Sequence, residues 1–249
     1  MSVVGVDIGG ANLKLARDDG SAWTEPFALW QQPHALAGAL MEQWWMAAPE
    51  VVVATMTGEL CDCFASRAEG VTFIIEQLEA AGEGANMRLW SMRDGFVSPA
   101  EARDAPHRVA AGNWHALASW LAPLWSSGLT LLLDVGSTTT DVIALRDGLV
   151  VTESLTDLDR LQNGELVYLG AERTPIMALT HRLHLDGQAV PVMAEHFATM
   201  GDALLLTGDV EPAPEAVDTP DGRPRTKEAA ARRMLRMIGS DLDQHDEDV

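Results

Sequence analysis

The sequence predicts an α/β fold built twice: mixed sheets with flanking helices in each half, the second half incomplete. Two observations carry this. Residues 4–14 and 131–141 share one pattern: an apolar run, Asp-x-Gly, small or hydroxyl residues, then another extended run. Each copy reads as strand, tight turn, strand. The elements that follow also restart, with three strands opening each half.

In the first half, residues 3–8, 12–17 and 22–29 read as strands, separated by Gly9-Gly10 and by Asp18-Asp19-Gly20. Residues 34–48 read as a helix ended by Pro49, with Leu36, Leu40, Trp44 and Ala47 on one face. Val51 to Ala54 is a short buried strand, and 70–81 is a helix ended by Gly82. A helix over 113–125 leads into the second half, where 129–135, 139–145 and 149–155 are again strands. The division is expected at residue 110, giving halves 1–110 and 111–249. Residues 211–224 contain Pro212, Pro214, Pro220 and Pro224 and must be a loop. A helix over 226–238 follows, with Ala229, Ala230, Met234 and Ile238 on its apolar face. Arg223, Arg225, Lys227, Arg232, Arg233 and Arg236 cluster there, on a helix placed to cover a phosphate cleft or to face solvent. The acidic stretch 241–249 is expected to fray.

Composition narrows the function. The chain has 249 residues, 47% of them apolar, enough for a sizeable core. A formal charge of −20 argues against nucleic acid and against an anionic membrane surface. A small diphosphate is still admissible, because charges beyond a Debye length of about 8 Å are screened. Cys61 and Cys63 are too close in sequence for a good disulfide and are expected to be reduced thiols of a cytoplasmic protein. The N-terminus runs straight into a strand without the features of a signal peptide, and the apolar stretch 117–135 is interrupted by Pro123, Ser126, Ser127 and Gly128.

The repeated loops point to an anion. Small residues let backbone N–H groups converge on phosphate, so Gly9, Gly10, Asn12, Gly136, Ser137, Thr138 and Thr139 are phosphate-binding candidates. Asp7 and Asp134 end their strands and are candidates to hold Mg²⁺, approaching one another across a cleft between the halves. Lys14 follows the first loop and can meet a phosphate oxygen. Asp141 takes the matching place in the second loop, an exchange that suggests the halves divide the work.

Together the loops resemble the actin/hexokinase/Hsp70 superfamily, whose halves are ribonuclease-H-like. Five segments sharpen this: Thr55-Met56-Thr57-Gly58-Glu59-Leu60, Ala111-Gly112-Asn113-Trp114, Gly136-Ser137-Thr138-Thr139-Thr140-Asp141, Tyr168-Leu169-Gly170-Ala171-Glu172-Arg173-Thr174-Pro175 and Glu195-His196-Phe197-Ala198-Thr199. In that order they resemble the hydantoinase/oxoprolinase-related proteins of tetrahydromethanopterin-linked one-carbon metabolism. The resemblance implies a transferase of methanofuran-type cofactor biosynthesis. It would join the phenol oxygen of γ-glutamyltyramine to an aminomethyl-furanmethanol diphosphate and release pyrophosphate, with Mg²⁺ and small-molecule substrates as its partners. Glu59, Asp62 and Glu195, the last on an expected helix, are the candidate bases for the phenol proton. Arg173 is placed to hold a phosphate or the glutamyl carboxylate. Trp44, Trp45 and Trp114 read as core residues that also have the chemistry to stack on rings. His181 and His184, expected on a helix or its end, lack a third metal ligand. The alternatives are an ATP-dependent kinase or hydantoinase/oxoprolinase-like enzyme, or a non-catalytic ligand-binding protein.

The resemblance also carries one departure. No Gly-rich turn follows Met234, so the second half is expected to be shortened at its C-terminal end. An apolar edge should then be uncovered near residues 131–135 and 204–206, both expected as strands, with self-association as a homo-oligomer or low stability as the consequence.

Overall fold

The structure, a computed structural model, describes residues 2–44 and 49–244. Trp45 and Ala47 lie outside the described residues, as does most of the acidic tail. The expected fold class is present: mixed sheets flanked by helices. The chain divides into two compact units, Met1–Leu132 with Ile143–Glu165, and Leu133–Val142 with Leu166–Val249.

The first unit opens with β1 (Val3–Ile8), β2 (Asn12–Arg17) and β3 (Ala22–Pro26). β3 stops short of the expected residue 29, and Phe27 and Leu29 turn instead onto the first loop and into the core. Helix α1 (Leu36–Gln43), β4 (Val51–Met56) and α2 (Arg67–Ala81) follow. α2 starts three residues earlier than expected because the Ser66 hydroxyl accepts from the Glu69 amide as an N-cap. Next come β5 (Asn86–Ser91), β6 (Gly95–Val97) and α3 (Pro99–Asp104). The sequence reading missed all three, although Ser98 and Glu101 form a capping box that the spacing Ser-x-x-Glu signals.

The sheet order is β3-β2-β1-β4-β5-β6. β1, β2 and β3 pair antiparallel, β1, β4 and β5 parallel, and β6 turns back antiparallel. Alternation decides which face is dry: Val4, Val6, Ile8, Leu13, Leu15, Val52, Ala54 and Met56 are buried with α1 and α2 residues such as Leu40, Ile74 and Leu78. Truncating one of them, Ile74→Ala for example, should cost about 2–5 kcal/mol. Helix α4 (Asn113–Leu121) then ends in a 3-10 turn at Ala122–Leu124, where Pro123 interrupts the helix expected to reach residue 125.

β7 (Leu129–Val135) and β8 (Thr140–Arg146) form the second hairpin, and β9 (Leu149–Val150) pairs β8 over two residues rather than the expected seven. Trp114, Ala118, Ile143 and Leu145 make a small core with Met92 and Ala122. α5 (Asp157–Gln162), capped by Thr156, closes the first unit.

In the second unit β10 (Leu166–Val167) pairs β8, giving the order β10-β8-β7. α6 (Ile176–Leu179) leads to a hairpin of β11 (Arg182–Leu185) and β12 (Gln188–Pro191). His184 therefore lies on a strand, not a helix: Asp186 and Gly187, both at positive φ, make a two-residue hairpin turn. α7 (Met200–Thr207) occupies residues 204–206, correcting both the strand and the uncovered apolar edge expected there, since Leu205 is buried; Thr199 and Asp202 form a capping box, and Gly208 ends the helix in the left-handed region. α8 (Lys227–Arg236) is the expected basic helix.

One row of β7 is uncovered. Leu129, Leu131, Leu133 and Val135 are all about 60% exposed, and this strand ends its sheet. No helix among the described residues is long and apolar enough to cross a membrane.

Candidate functional site

The two loops share one backbone device. In the first, the Gly9 amide donates to the Asn12 carbonyl at 3.0 Å; in the second, the Gly136 amide donates to the Thr139 carbonyl at 2.8 Å. The same Asp-x-Gly spacing thus closes the same turn in each unit.

Their surroundings differ. Asp7 lies on the open face of the first sheet, and register places Lys14 opposite it on β2 and Thr55 opposite it on β4. The Thr55 hydroxyl donates to Asp7 at 2.9 Å, and the Lys14 ammonium stands 3.5 Å away. The Gly10 and Ala11 carbonyls accept from the Leu29 and Phe27 amides, so an apolar strap covers this loop. Over the same sheet face lies an open-sided cavity of about 730 Å³, walled by Trp23, Trp90, Phe96 and Trp120 and bordered by Asp7 and Lys14.

In the second loop the strap is polar. The Ala171 amide donates to the Gly136 carbonyl, and the Glu172 and Arg173 amides donate to the Ser137 carbonyl. This seats Arg173 on the loop: its Nε and Nη2 donate to the Thr138 hydroxyl at 2.8 and 2.6 Å. The approach is tight enough to demand glycine. A Cβ on Gly170 would fall 2.4 Å from the Ser137 and Thr138 backbone. The Thr174 hydroxyl holds the bend by accepting from the Gly170 amide at 2.8 Å, and the Thr140 hydroxyl donates to the Leu169 carbonyl at 2.6 Å. Gly136, Ser137, Thr138, Thr139 and Arg173, separate in the sequence, thus gather at one place. The half-buried Asp134 carboxylate of the same hairpin has no hydrogen-bond or ion-pair partner among the described residues.

Of the three candidate bases, Glu59 stands apart. It follows β4 in a 3-10 turn at Gly58–Leu60 and is buried, with no hydrogen-bond partner for either carboxylate oxygen among the described residues. Burial pushes its pKa from 4.5 to about 7. Its own amide and that of Ala111 favour the charged form without reaching hydrogen-bond geometry, and Arg67 acts the same way. Arg67 is itself paired to Asp157 at 2.5 Å, which blunts its effect. Ala111 takes a positive φ of 49°, a strained setting for a residue with a Cβ. Asp62 is exposed in the following turn. Glu195 is exposed too and does not lie on a helix; it sits in the turn before α7, whose capping begins only at Thr199.

The basic run near the C-terminus is largely ion-paired. Arg233 is fully buried between Asp202 at 2.7 Å and Asp221 at 2.9 Å, Arg225 pairs with Asp218 and Glu172, and Arg232 pairs with Glu228. These guanidiniums hold the loop and helix together. Trp44 and Trp114 are core residues, and the buried Arg160 guanidinium stacks on Trp114 at 3.7 Å from the ring centroid. Sequence reasoning missed Arg160. Among the described residues no three or more His, Cys, Asp or Glu side chains gather as a metal site.

The sequence profile of the hydantoinase/oxoprolinase family (Hydantoinase_A) matches residues 50–249. A (γ-glutamylaminoethyl)phenoxymethyl-furanyl methanamine synthase of Methanocaldococcus jannaschii is 32% identical over 249 residues, 99% of this chain and 74% of that protein. The synthase of the same name from Methanococcus vannielii is 39% identical over 114 residues, 46% of this chain and 51% of that protein. Among solved structures, nucleotide-free acetone carboxylase matches with a TM-score of 0.50 at 10% identity, over 97% of this chain and 59% of that one, a likeness of fold alone.

Proposed function

This chain belongs to the hydantoinase/oxoprolinase family, and from that premise we propose that it is an ether-forming transferase of methanofuran- or methylofuran-type cofactor synthesis in tetrahydromethanopterin-linked one-carbon metabolism. It joins the phenol oxygen of γ-glutamyltyramine to the furfuryl carbon of an aminomethyl-furanmethanol diphosphate. The observation that carries this reading is the second loop: a hydroxyl-rich turn with Arg173 seated on Thr138, in the same hairpin as Asp134, whose carboxylate has no partner among the described residues. Such a turn offers backbone and side-chain donors to a diphosphate. The 32% identity to a synthase with a phenoxymethyl-furan product, over nearly the whole chain, supports the choice of reaction.

The donor set fits a divalent cation of the Mg²⁺ kind. Mg²⁺ keeps several waters and takes one or two carboxylates plus substrate phosphate oxygens, so it needs no cluster of three protein ligands. Asp134 is the stronger of the two ligand candidates, because Asp7 already has Thr55 and Lys14 as partners. When bound, the cation supplies charge neutralisation to the departing diphosphate.

The chain's own residues do the rest. Ser137, Thr138, Thr139 and Arg173 hold the diphosphate, and Gly9, Gly10, Asn12 and Lys14 form a second anion-binding loop. The furfuryl C–O bond breaks, its electron pair leaves with the diphosphate, and the furan ring delocalises the positive charge left on carbon. The phenol oxygen forms the new C–O bond, and its proton passes to a carboxylate. Of the three carboxylates, Glu59 suits that last transfer best: burial raises its pKa to about 7, which brings it closer to the phenol's ordinary value of about 10.

The test is pyrophosphate release by the full chain with both substrates and Mg²⁺. Release that needs both organic substrates supports the reading. ATP hydrolysis without any pyrophosphate release from the furfuryl diphosphate would replace it with an ATP-dependent activity.

A further inference from the structure

We propose that a cavity of about 220 Å³ in the second unit holds the zwitterionic head of the γ-glutamyl group, the free α-carboxylate and α-ammonium of the phenolic substrate. This deepens the ether-forming reading and rests on it. The cavity is smaller than the ~300–1,000 Å³ of pockets that enclose a whole drug-sized ligand. It suits an amino-acid head whose aryl tail extends outside.

Charge selects the ligand. Arg173, Arg225 and His196 line the cavity, and so do Glu172, Glu211 and Asp218. Asp202 lines it as well, but its charge is taken by the buried Arg233. Carboxylates therefore outnumber guanidiniums, which disfavours a phosphate or diphosphate with two or more negative charges. An α-amino acid brings one charge of each sign, and both signs are present to meet it.

The donors are prepared for this. Arg225 is held by Asp218 at 2.8 Å and Glu172 at 3.4 Å, so its fork is oriented before any ligand arrives. Arg173 uses Nε and Nη2 on Thr138, while its Nη1 has no partner among the described residues. The Glu211 carboxylate likewise has none, and so is available to an ammonium. The start of α7 offers no anion site of its own: the Met200, Gly201 and Asp202 amides donate to the Thr174, Glu172 and Thr199 carbonyls. Recognition must come from side chains. Arg173 borders the cavity from the side of the second loop, and Arg225 and Glu211 carry the recognition of the head.

Calorimetry on the full chain tests this with γ-L-glutamyl-ethylamide, which has the head but no phenol, and with its N-acetyl derivative, which lacks the ammonium. The free-amine probe should bind, and acetylation should weaken it about tenfold or more, as loss of a charge-assisted contact does. Glu211→Gln should weaken the free-amine probe by a similar factor and leave the acetylated one unchanged. Equal affinity for the two probes in the unaltered chain overturns the proposal without relying on any variant. Mg²⁺-dependent pyrophosphate binding is measured alongside. Pyrophosphate binding without probe binding sinks the cavity alone, whereas probe binding without pyrophosphate binding keeps the cavity and sinks the ether-forming reading.

Discussion

The first and second loops close with the same hydrogen bond, yet they present different chemistry. In the first, Asp-x-Gly is followed by Gly10, Ala11 and Asn12, and an apolar strap with Phe27 and Leu29 lies over it. In the second, the corresponding residues are Ser137, Thr138 and Thr139, and the strap delivers Arg173. The first aspartate is paired with Lys14; at the matching position seven residues on, the second half has Asp141. A duplicated turn can therefore keep its backbone and change its charge. The anion-binding side chains accumulate in the second copy, while the first offers an aspartate that already has Thr55 and Lys14 as partners.

The sharpest way to break this comparison is to remove the two aspartates in turn. Asp134→Asn should lower turnover by about 10²–10³, the usual effect of losing a group that stabilises transition-state charge. Asp7→Asn should lower it by about tenfold or less, since Asp7 is shared with Thr55 and Lys14. Equal losses in steady-state kinetics would mean that the difference in partners has no functional meaning.

A second contrast uses the glycines. Gly170→Ala forces a Cβ to 2.4 Å from backbone atoms of the second loop, and should cost about 3 kcal/mol or more in thermal unfolding together with pyrophosphate binding. Gly9→Ala brings a Cβ no closer than 3.0 Å, to the Asn12 carbonyl, and should cost about 1 kcal/mol. Similar melting losses for both would show that the strap over the second loop is not tightly seated.

Glu59 adds a pH signature to the first unit. Its folded-state pKa is raised, so the native chain keeps a proton that the unfolded chain releases above about pH 4.5. Stability should then fall as pH rises from about 4.5 through about 7 and level off above that, with at most about 3 kcal/mol at stake. Glu59→Gln removes this slope. It should be more stable than the parent at pH 8 and nearly equal to it at pH 5, and denaturant titrations at the two pH values read this directly. A variant destabilised equally at both would place a partner on the carboxylate.

The smallest effect concerns the exposed row of β7. Leu131→Lys should change stability by about 0.5 kcal/mol or less, because the side chain is mostly in water. It should reduce self-association in light scattering, as a lysine on an open edge blocks strand pairing. Unchanged scattering would assign any self-association to another surface.

Much of the first unit was legible because its signals are local. Alternation in β1, β2 and β4 marks a sheet with one dry face, and Asp-x-Gly marks both turns. The strands β5 and β6 were missed: Arg88, Trp90 and Phe96 interrupt the polar–apolar contrast, because the sheet face they occupy is itself lined with aromatic residues. Glu195, just before Phe197, reads as helical from the sequence, but Ala198 packs into the second unit's core from an extended segment bridged through Pro175 and Thr199.

By itself the sequence determined the α/β class and the duplicated turn, which follow from residue periodicity and short-range spacing, while the family came from the resemblance of five ordered segments to known proteins. Only the tertiary structure decided which charges are already paired. Asp7 meets Lys14 and Thr55 through strand register, Arg233 disappears between two aspartates, and Arg173 reaches Thr138 through backbone bonds that bend its segment over Gly170. A charge becomes available or neutralised through contacts between residues far apart in the chain, and those contacts depend on register and close approach, which no local pattern records.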